Sequence, residues 1–244
     1  SFFTVLSVFS GLEQYSLNFS KSFDPDVKIF SDSKSFFKLE SEDLLFISDN
    51  LGQENFSKIV TGNVLINHEG VITYGKILGV DDNFNNVIDF SNIISVGQYS
   101  ELGGSEAYTS YSLAEKLDLT LFNAAGAFEI YSVNSSYPDN LLVPFKNIKS
   151  LFSKGVFTTR NNDNENIIVC NLETAQSLFG LKGNMFSEIY LASDDKVKIK
   201  NILKSRFNSL SVKTHEELNE TLFKMMKSEK LIVSIIMIMI VLIS

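Results

Sequence analysis

The side chains that could do chemistry are few and lie far apart in the sequence. There are two histidines, His68 and His215, and one cysteine, Cys170. The histidines lack the HxxxH or HExxH spacing that sets two imidazoles on one helix face, so the pattern does not indicate a metal site. His68, beside Glu69-Gly70, is predicted to be a turn residue. Cys170 ends the apolar run 167–170, which predicts a buried strand and a small core residue, not a nucleophile.

The acidic residues also lack a catalytic arrangement. Asp81-Asp82 and Asp194-Asp195 are adjacent pairs, and the side chains of neighbouring residues diverge on a helix or a strand, so neither pair predicts an acid–base dyad. Residues 82–86 loosely resemble a calcium loop but lack its twelfth-position glutamate, which favours a solvated turn. Neither a phosphate-binding glycine motif nor GxSxG occurs. We therefore predict no enzyme activity, no cofactor and no metal.

Composition excludes other classes of protein. The formal charge is −8, whereas a nucleic-acid-binding protein carries a basic stripe. Among the 21 basic residues only Arg160 and Arg206 are arginines, so bidentate phosphate recognition is poorly supplied. A single cysteine excludes an intramolecular disulfide. The 21 phenylalanines and 8 tyrosines are ample for a hydrophobic core.

The two ends of the sequence are its most apolar parts. Residues 231–244 contain no charge and only two polar residues, Ser234 and Ser244. This run is shorter than the roughly 18 to 20 residues that cross a bilayer, so a core helix is the alternative; a core helix, however, normally keeps a polar stripe. Residues 1–9 are a second, weaker apolar stretch. We predict the end of a transmembrane helix at each border.

Between these borders the patterns predict a mixture of strands and helices. Residues 2–22 are predicted to form the first helix, and Asp24-Pro25-Asp26 is predicted to end it. The predicted strands are 27–30, 62–66, 71–80, 127–133, 150–159, 166–169, 187–191 and 210–213. The predicted helices are 112–117, 172–179 and 194–207, and Ser112 is predicted to cap the first of these three. Residues 62–66 and 71–80 form a predicted hairpin with a glycine turn. Thr214 and Glu217 form a predicted capping box, from which one unbroken helix is predicted to run into the apolar terminus.

Several segments, in their order and spacing, resemble those of one family. The segments are 5–13, 23–26 (Phe-Asp-Pro-Asp), 62–66 (Gly-Asn-Val-Leu-Ile), 77–81 (Ile-Leu-Gly-Val-Asp), 155–157, 175–178 and 219–230. The family that they resemble is the ABC-transporter permeases of the lipoprotein-releasing LolC/LolE type, within the wider MacB/FtsX-like group. Two positions depart from the family pattern: Asn-Ala-Ala-Gly at 123–126 replaces a common Gly-Asp pair, and His215 stands where tryptophan is often found.

The resemblance implies an α+β periplasmic domain in two parts. Residues 1–24 would be the end of the first transmembrane helix and a stalk. Residues 25–213 would be the MacB-like core, with a discontinuous βαβ-type half (25–75 and 150–213) and an inserted β-rich half (76–149). Residues 214–244 would be a stalk helix that runs into the second transmembrane helix.

The resemblance also implies a non-enzymatic function at the bacterial inner membrane, with the domain facing the periplasm. A cytoplasmic ATPase subunit, reached through parts outside this chain, would supply the energy. ATP-driven motion would extract lipoprotein substrates from the membrane lipid and hand them to a periplasmic lipoprotein carrier, together with a second permease subunit. No nucleic acid is an expected partner.

In this family one permease of the pair recruits the carrier through a protruding hairpin, which would fall here at 134–149, and the sequence does not distinguish the carrier-recruiting from the lipoprotein-receiving permease. The residues that the resemblance nominates for partner binding are Tyr137, Pro138, Leu141, Leu142, Val143, Pro144 and Phe145. An exposed apolar patch often marks a partner site, and Pro144 would blunt a strand edge. The alternative is that these side chains pack into the core of the domain itself.

Two other functions fit a domain between two membrane spans. One is the extracellular domain of a membrane-anchored signalling protein, which would require a small-ligand pocket. The other is an FtsX-like regulator of cell-wall hydrolases. Lys224, Lys227 and Lys230 lie beside the second span, and positive charge usually marks the cytoplasmic flank. Since lysine can snorkel to headgroups, we predict the orientation from the family resemblance.

Overall fold

The protein is an α+β structure in which short helices pack against one long mixed sheet. The computed structural model describes residues 24–119, 121, 126–133, 145–158, 165–221, 223–225, 228 and 231–232. Its strands are β1 (Val27–Phe30), β2 (Phe37–Lys38), β3 (Phe56–His68), β4 (Val71–Val80), β5 (Ile94–Val96), β6 (Glu106–Ser110), β7 (Phe128–Val133), β8 (Phe145–Phe157), β9 (Ile167–Asn171), β10 (Met185–Phe186), β11 (Glu188–Leu191) and β12 (Ser211–Thr214). Its helices are α1 (Ser41–Leu51), α2 (Phe84–Ile88), α3 (Tyr111–Lys116), α4 (Leu172–Phe179), α5 (Lys196–Arg206) and α6 (His215–Leu218), with a 3-10 turn at Phe90–Ile93. The predicted α+β class is confirmed.

The main sheet runs in the order β12–β1–β11–β3–β4–β9–β6–β8–β5, and β7 pairs with both β3 and β8. The β4–β9 and β6–β8 pairs are parallel. Because β7 bridges β3 and β8, the strands β3, β4, β9, β6, β8 and β7 close into a ring. Strands β11, β1 and β12 extend the sheet outward from β3. Strands β2 and β10 form a separate two-stranded sheet.

The predicted hairpin is confirmed and is longer than the sequence indicated. Its two strands, β3 and β4, stay in register from Ile59 opposite Val80 to His68 opposite Val71. The two-residue turn has positive φ at both positions, 49° at Glu69 and 87° at Gly70. Such a turn matches the right-handed twist of paired strands, and glycine adopts its second position without strain. The prediction for His68 was wrong: it ends β3, is 7% exposed, and its Nδ1 lies 3.0 Å from the carbonyl oxygen of Ala127.

Among the described residues, three clusters of buried side chains hold the strands and helices together. On the β11–β1–β12 side, Val27 and Ile29 are fully buried under α1 and α5, which contribute Ile47 and Leu203. Their alternation with the less buried Lys28 and Phe30 gives β1 one buried face. The second cluster is aromatic: the Phe90 ring lies 5.4 Å from Tyr108 and 5.2 Å from Phe157, between centroids.

Helix α4 packs so closely on the sheet that β4 must carry a glycine beneath it. A Cβ atom added at Gly79 would lie 2.2 Å from the Cβ of Ala175. The predicted bounds of α4 are confirmed, and it begins with the Asn171 side chain accepting from the Thr174 N–H at 3.0 Å. Asn171 follows Cys170, which is fully buried as predicted.

The predicted cap of one short helix was wrong. Helix α3 begins at Tyr111, so its N-cap position is Ser110 and not Ser112. The Ser112 hydroxyl instead donates to the Glu165 carbonyl at 2.7 Å. Within the described residues, no helix has both the length and the apolarity needed to cross a membrane. The two apolar borders, 1–23 and 233–244, lie outside those residues.

Candidate functional site

The entry and the exit of the domain meet at one place. Strand β1 lies between β11 and β12, so that Val27 is opposite both Leu191 and Thr214. The segment by which the chain enters the domain therefore lies beside the end of its last strand, β12. The backbone N–H of His215, the first residue of α6, donates to the Asp26 carbonyl at 2.9 Å. We call the group Asp24, Asp26, Lys196, His215 and Asn219 the junction.

Side chains connect the two chain segments at the junction. The Asn219 amide donates to the Asp24 carboxylate at 2.9 Å, and the same carboxylate lies 3.9 Å from Nδ1 of His215. The His215 ring is fully buried, with Phe223 packed edge-on against it at a centroid distance of 5.7 Å. The residues after α6 are thereby held to the segment that precedes β1.

Asp26 fastens α5 to the same point. Its carboxylate lies 2.9 Å from Nζ of Lys196 and accepts the Ser193 N–H at 3.2 Å. Lys196 also lies 3.4 Å from Glu216 of α6, so one ammonium joins β1, α5 and α6. Burial alone would lower the pKa of Lys196, but its hydrogen bond to Asp26 and the two nearby carboxylates raise it above its ordinary value. Lys196 therefore stays charged throughout the physiological pH range.

The predicted capping box at the start of α6 is confirmed. Thr214 and Glu217 each bond to the backbone of the other, and the Glu217 carboxylate accepts the Thr214 N–H at 3.0 Å. Glu217 also pairs with Lys200 of α5. Partial burial tends to raise the pKa of Glu217, but Lys200 and the Thr214 N–H lower it overall.

The prediction of one unbroken final helix was wrong at Asn219. Helix α6 ends at Leu218, and Asn219 has φ −110° and ψ 34°, outside helical geometry. Its side chain donates to Asp24 and, at 3.2 Å, to the His215 carbonyl, and an asparagine amide that bonds backbone in this way competes with the helix. Helical residues resume at 220–221. The carboxylate of Glu220 lies 2.6 Å from Nζ of Lys224, one turn later.

The residues predicted to bind a partner are not part of the junction. Tyr137, Pro138, Leu141, Leu142, Val143 and Pro144 lie outside the described residues. Phe145 is the first residue of β8, where it pairs with Val133, and its side chain lies outside the described part. Their role stays a prediction.

The groups weighed for chemistry do not come together. Asp81 accepts from the Ser57 hydroxyl at 2.6 Å, and burial raises its pKa despite this bond. Asp195 caps α5 by accepting the Lys198 N–H at 3.1 Å. Within the described residues, no three His, Cys, Asp or Glu side chains are grouped as a metal site would require.

Sequence reasoning missed the junction as a site. The sequence pattern places Asp24 and Asp26 at the end of a helix and Asn219 within the last one, and both segments also contribute to the family resemblance, but nothing in the pattern joins them. The available signal was the pair of acidic residues around Pro25, placed just before the first strand of the domain. Their partners are about 170 to 195 residues away in the sequence, so no local pattern links them.

No protein-family model matches the chain, and no curated protein matches it in sequence. Solved structures do resemble it. The periplasmic region of MacB from Actinobacillus actinomycetemcomitans is 12% identical with a TM-score of 0.49, covering 80% of this chain and 91% of that one. The extracellular domain of the noncanonic ABC-type transporter YknZ from Gram-positive bacteria is 13% identical with a TM-score of 0.44, covering 77% of this chain and 99% of that one.

Proposed function

We propose that this chain is the extracytoplasmic domain of an ABC-transporter permease, without enzymatic activity of its own. The observation that carries the proposal is the junction. A domain inserted between two neighbouring membrane helices must begin and end about 8–10 Å apart, the usual spacing of packed helices. Here a direct hydrogen bond from Asn219 to Asp24 joins the two segments. The apolar sequences on either side, 1–9 and 231–244, supply the segments that would enter the membrane.

The junction also suits a domain that passes on movement. Movement of either membrane segment would reach β1, α5 and α6 together, because Lys196 bonds to Asp26 and Glu216 and joins all three. In this proposal a cytoplasmic ATPase generates the movement, and the domain transmits it on the periplasmic side. The finer proposal, extraction of lipoproteins and their transfer to a periplasmic carrier, is supported by the sequence resemblance alone.

The membrane location can be tested with one added cysteine. Gln53 is exposed in the turn after α1, so the Gln53→Cys variant offers a reactive thiol. We expect the chain to stay with bacterial membranes after an alkaline carbonate wash, and a membrane-impermeant maleimide to label Gln53→Cys in intact spheroplasts. The unaltered chain is the control, because burial raises the pKa of the Cys170 thiol to about 12 and keeps it unlabelled until the protein is denatured. Recovery in the aqueous fraction, or labelling only after lysis, would contradict the proposal.

Recruitment of a carrier can be tested at the nominated segment. Val143→Asp and Phe145→Asp each place a charge in the apolar segment, so we expect each to weaken carrier binding about tenfold, equivalent to 1.4 kcal/mol. Ile148→Asp is the matched control, since Ile148 is also apolar, is 58% exposed and lies on the same strand as Phe145. A pull-down in which all three variants retain the carrier equally would show that this segment is not the carrier site.

A further inference from the structure

A groove opens where two strands diverge along one edge of β3. Residues 56–59 of β3 pair with β11, and residues 64–67 pair with β7 on the same edge. The intervening residues 60–63 face neither strand. The groove at this fork has a volume of about 640 Å³, within the range of about 300–1,000 Å³ typical of small-ligand sites.

Thr61, which lines the groove, has a buried hydroxyl oxygen, Oγ1, without a hydrogen-bond partner among the described residues. Glu188 also lines the groove, but its carboxylate is bonded by the Tyr190 hydroxyl. Neighbouring groups are satisfied: the Thr61 N–H donates to Ser187 Oγ at 2.7 Å, and Oε1 of Glu188 lies 2.9 Å from Nζ of Lys28. A buried polar atom left unpaired is unfavourable, because it has given up its hydrogen bond to water and gained none in return. A molecule bound in the groove could satisfy the Thr61 hydroxyl with a hydrogen-bond donor.

Two lysines at the groove supply positive charge. Lys34 and Lys76 line it from the segment after β1 and from β4. Neither forms an ion pair with a carboxylate in the part of the chain that the structure describes, although the protein is acidic overall. An anionic group entering the groove would meet both ammonium groups without displacing an existing partner.

The remaining wall is aromatic. The rings of Phe36 and Phe179 lie 5.5 Å apart between centroids, and both line the groove. Phe179 crosses β3 over Gly62, where an added Cβ would lie 2.5 Å from the ring. The absence of a side chain at Gly62 thus lets Phe179 form one wall of the groove. This wall suits an apolar side chain.

From these features we infer that the groove binds the carboxy-terminal end of an apolar peptide. The terminal carboxylate lies between Lys34 and Lys76, a peptide N–H donates to the Thr61 hydroxyl, and the last apolar side chain packs on Phe36 and Phe179. A peptide end combines all three features in one short extended unit, and exposed strand edges are common sites for extended peptides. This inference goes beyond the proposed function, since it assigns a ligand and not a mechanical role.

The direct test compares three probes on the whole 244-residue chain, held in nanodiscs or, if the chain is soluble without lipid, in buffer. The first probe is fluorescein-labelled Gly-Leu-Phe with a free carboxylate, and the second is the same peptide as its carboxy-terminal amide. The third is dodecanoate, which has a carboxylate and an apolar body but no N–H donor. We expect fluorescence anisotropy to show that the amide binds about tenfold more weakly than the free acid. Dodecanoate is expected to compete with the labelled peptide only at a tenfold higher concentration or above.

Substitutions then test each part of the groove. Lys34→Met and Lys76→Met each remove one cation and are expected to weaken binding of the free acid about threefold to fivefold, as for exposed ion pairs. Their effect on the amide should be small. Thr61→Val keeps the shape of the side chain and removes its hydroxyl, so about threefold weaker binding of both peptides is expected. Lys204→Met, an exposed lysine on α5 away from the groove, is the control and should leave binding unchanged.

Equal binding of acid and amide would overturn the inference, as would unchanged affinity in both lysine variants. Tighter binding of dodecanoate than of the peptide would also overturn it, because the occupant would then be a free amphiphile. A chain that binds the peptide but remains in the aqueous fraction would contradict the proposed function and leave this inference intact. A membrane-anchored chain that binds no peptide would contradict this inference and leave the proposed function intact.

Discussion

Gly79→Ala is expected to destabilise the protein by about 2–3 kcal/mol, the usual effect of overpacking a tightly filled site. For a chain of this size, that loss corresponds to a fall in Tm of about 5–10 °C. The reason is steric: the new Cβ would lie 2.2 Å from the Cβ of Ala175, so α4 must move away from β4. Thermal unfolding followed by circular dichroism measures the effect. Peptide binding in the groove should weaken too, because Phe179, which forms one wall of the groove, is the last residue of α4.

The contact can be verified by removing the opposing methyl group from the helix. Ala175→Gly in the Gly79→Ala background removes the colliding atom, so the double variant should be more stable than Gly79→Ala alone. The recovery will be partial, because glycine inside a helix is unfavourable by about 1 kcal/mol relative to alanine. Gly104→Ala is the matched control, since its nearest neighbour would be the Thr174 hydroxyl at 4.0 Å. If Gly79→Ala unfolds at the same temperature as Gly104→Ala, helix and strand are not in direct contact there.

Local patterns predicted most of the individual elements of this fold. Helix α4 was predicted with its observed bounds, and in the structure the Asn171 cap and the left-handed Gly180 set those limits. The hairpin was found because Gly70 interrupts two apolar strands. The capping box at Thr214 was likewise visible, since both of its partners lie within four residues.

The features that depend on distant contacts could not be predicted in this way. The ring of strands closes only because β7 pairs with β3, more than sixty residues earlier, and with β8. The fork at residues 60–63 exists because two different strands share one edge of β3. Asn219 looked like an ordinary helix residue because its partner, Asp24, is 195 positions away. The junction and the groove both arise from such long-range pairings.

Asp26→Ala is expected to destabilise the domain by about 2 kcal/mol, chiefly by leaving the Ser193 N–H and the half-buried ammonium of Lys196 without their acceptor. The side chains of Asp26 and Lys196 are only 29% and 19% exposed, so solvent screens this ion pair less than one on the open surface. Glu54→Ala is the control: it removes an exposed carboxylate from the turn after α1 and should change stability by no more than about 0.5 kcal/mol. Urea unfolding curves of the three proteins measure the differences.

A double-mutant cycle that combines Asp26→Ala with Lys196→Met measures the interaction energy between these two side chains apart from their other contacts. If the two side chains hold β1 to α5, the loss in the double variant will be smaller than the sum of the single losses, by about 1 kcal/mol. Strict additivity would mean that the ion pair contributes nothing to the junction. In that case Lys196 would serve mainly Glu216, at 3.4 Å, and the entry strand would be held by backbone pairing alone. The proposal that movement passes from the membrane segments to α5 through this ammonium would then fail, whereas the bond between Asn219 and Asp24 would still join the entry and the exit of the domain.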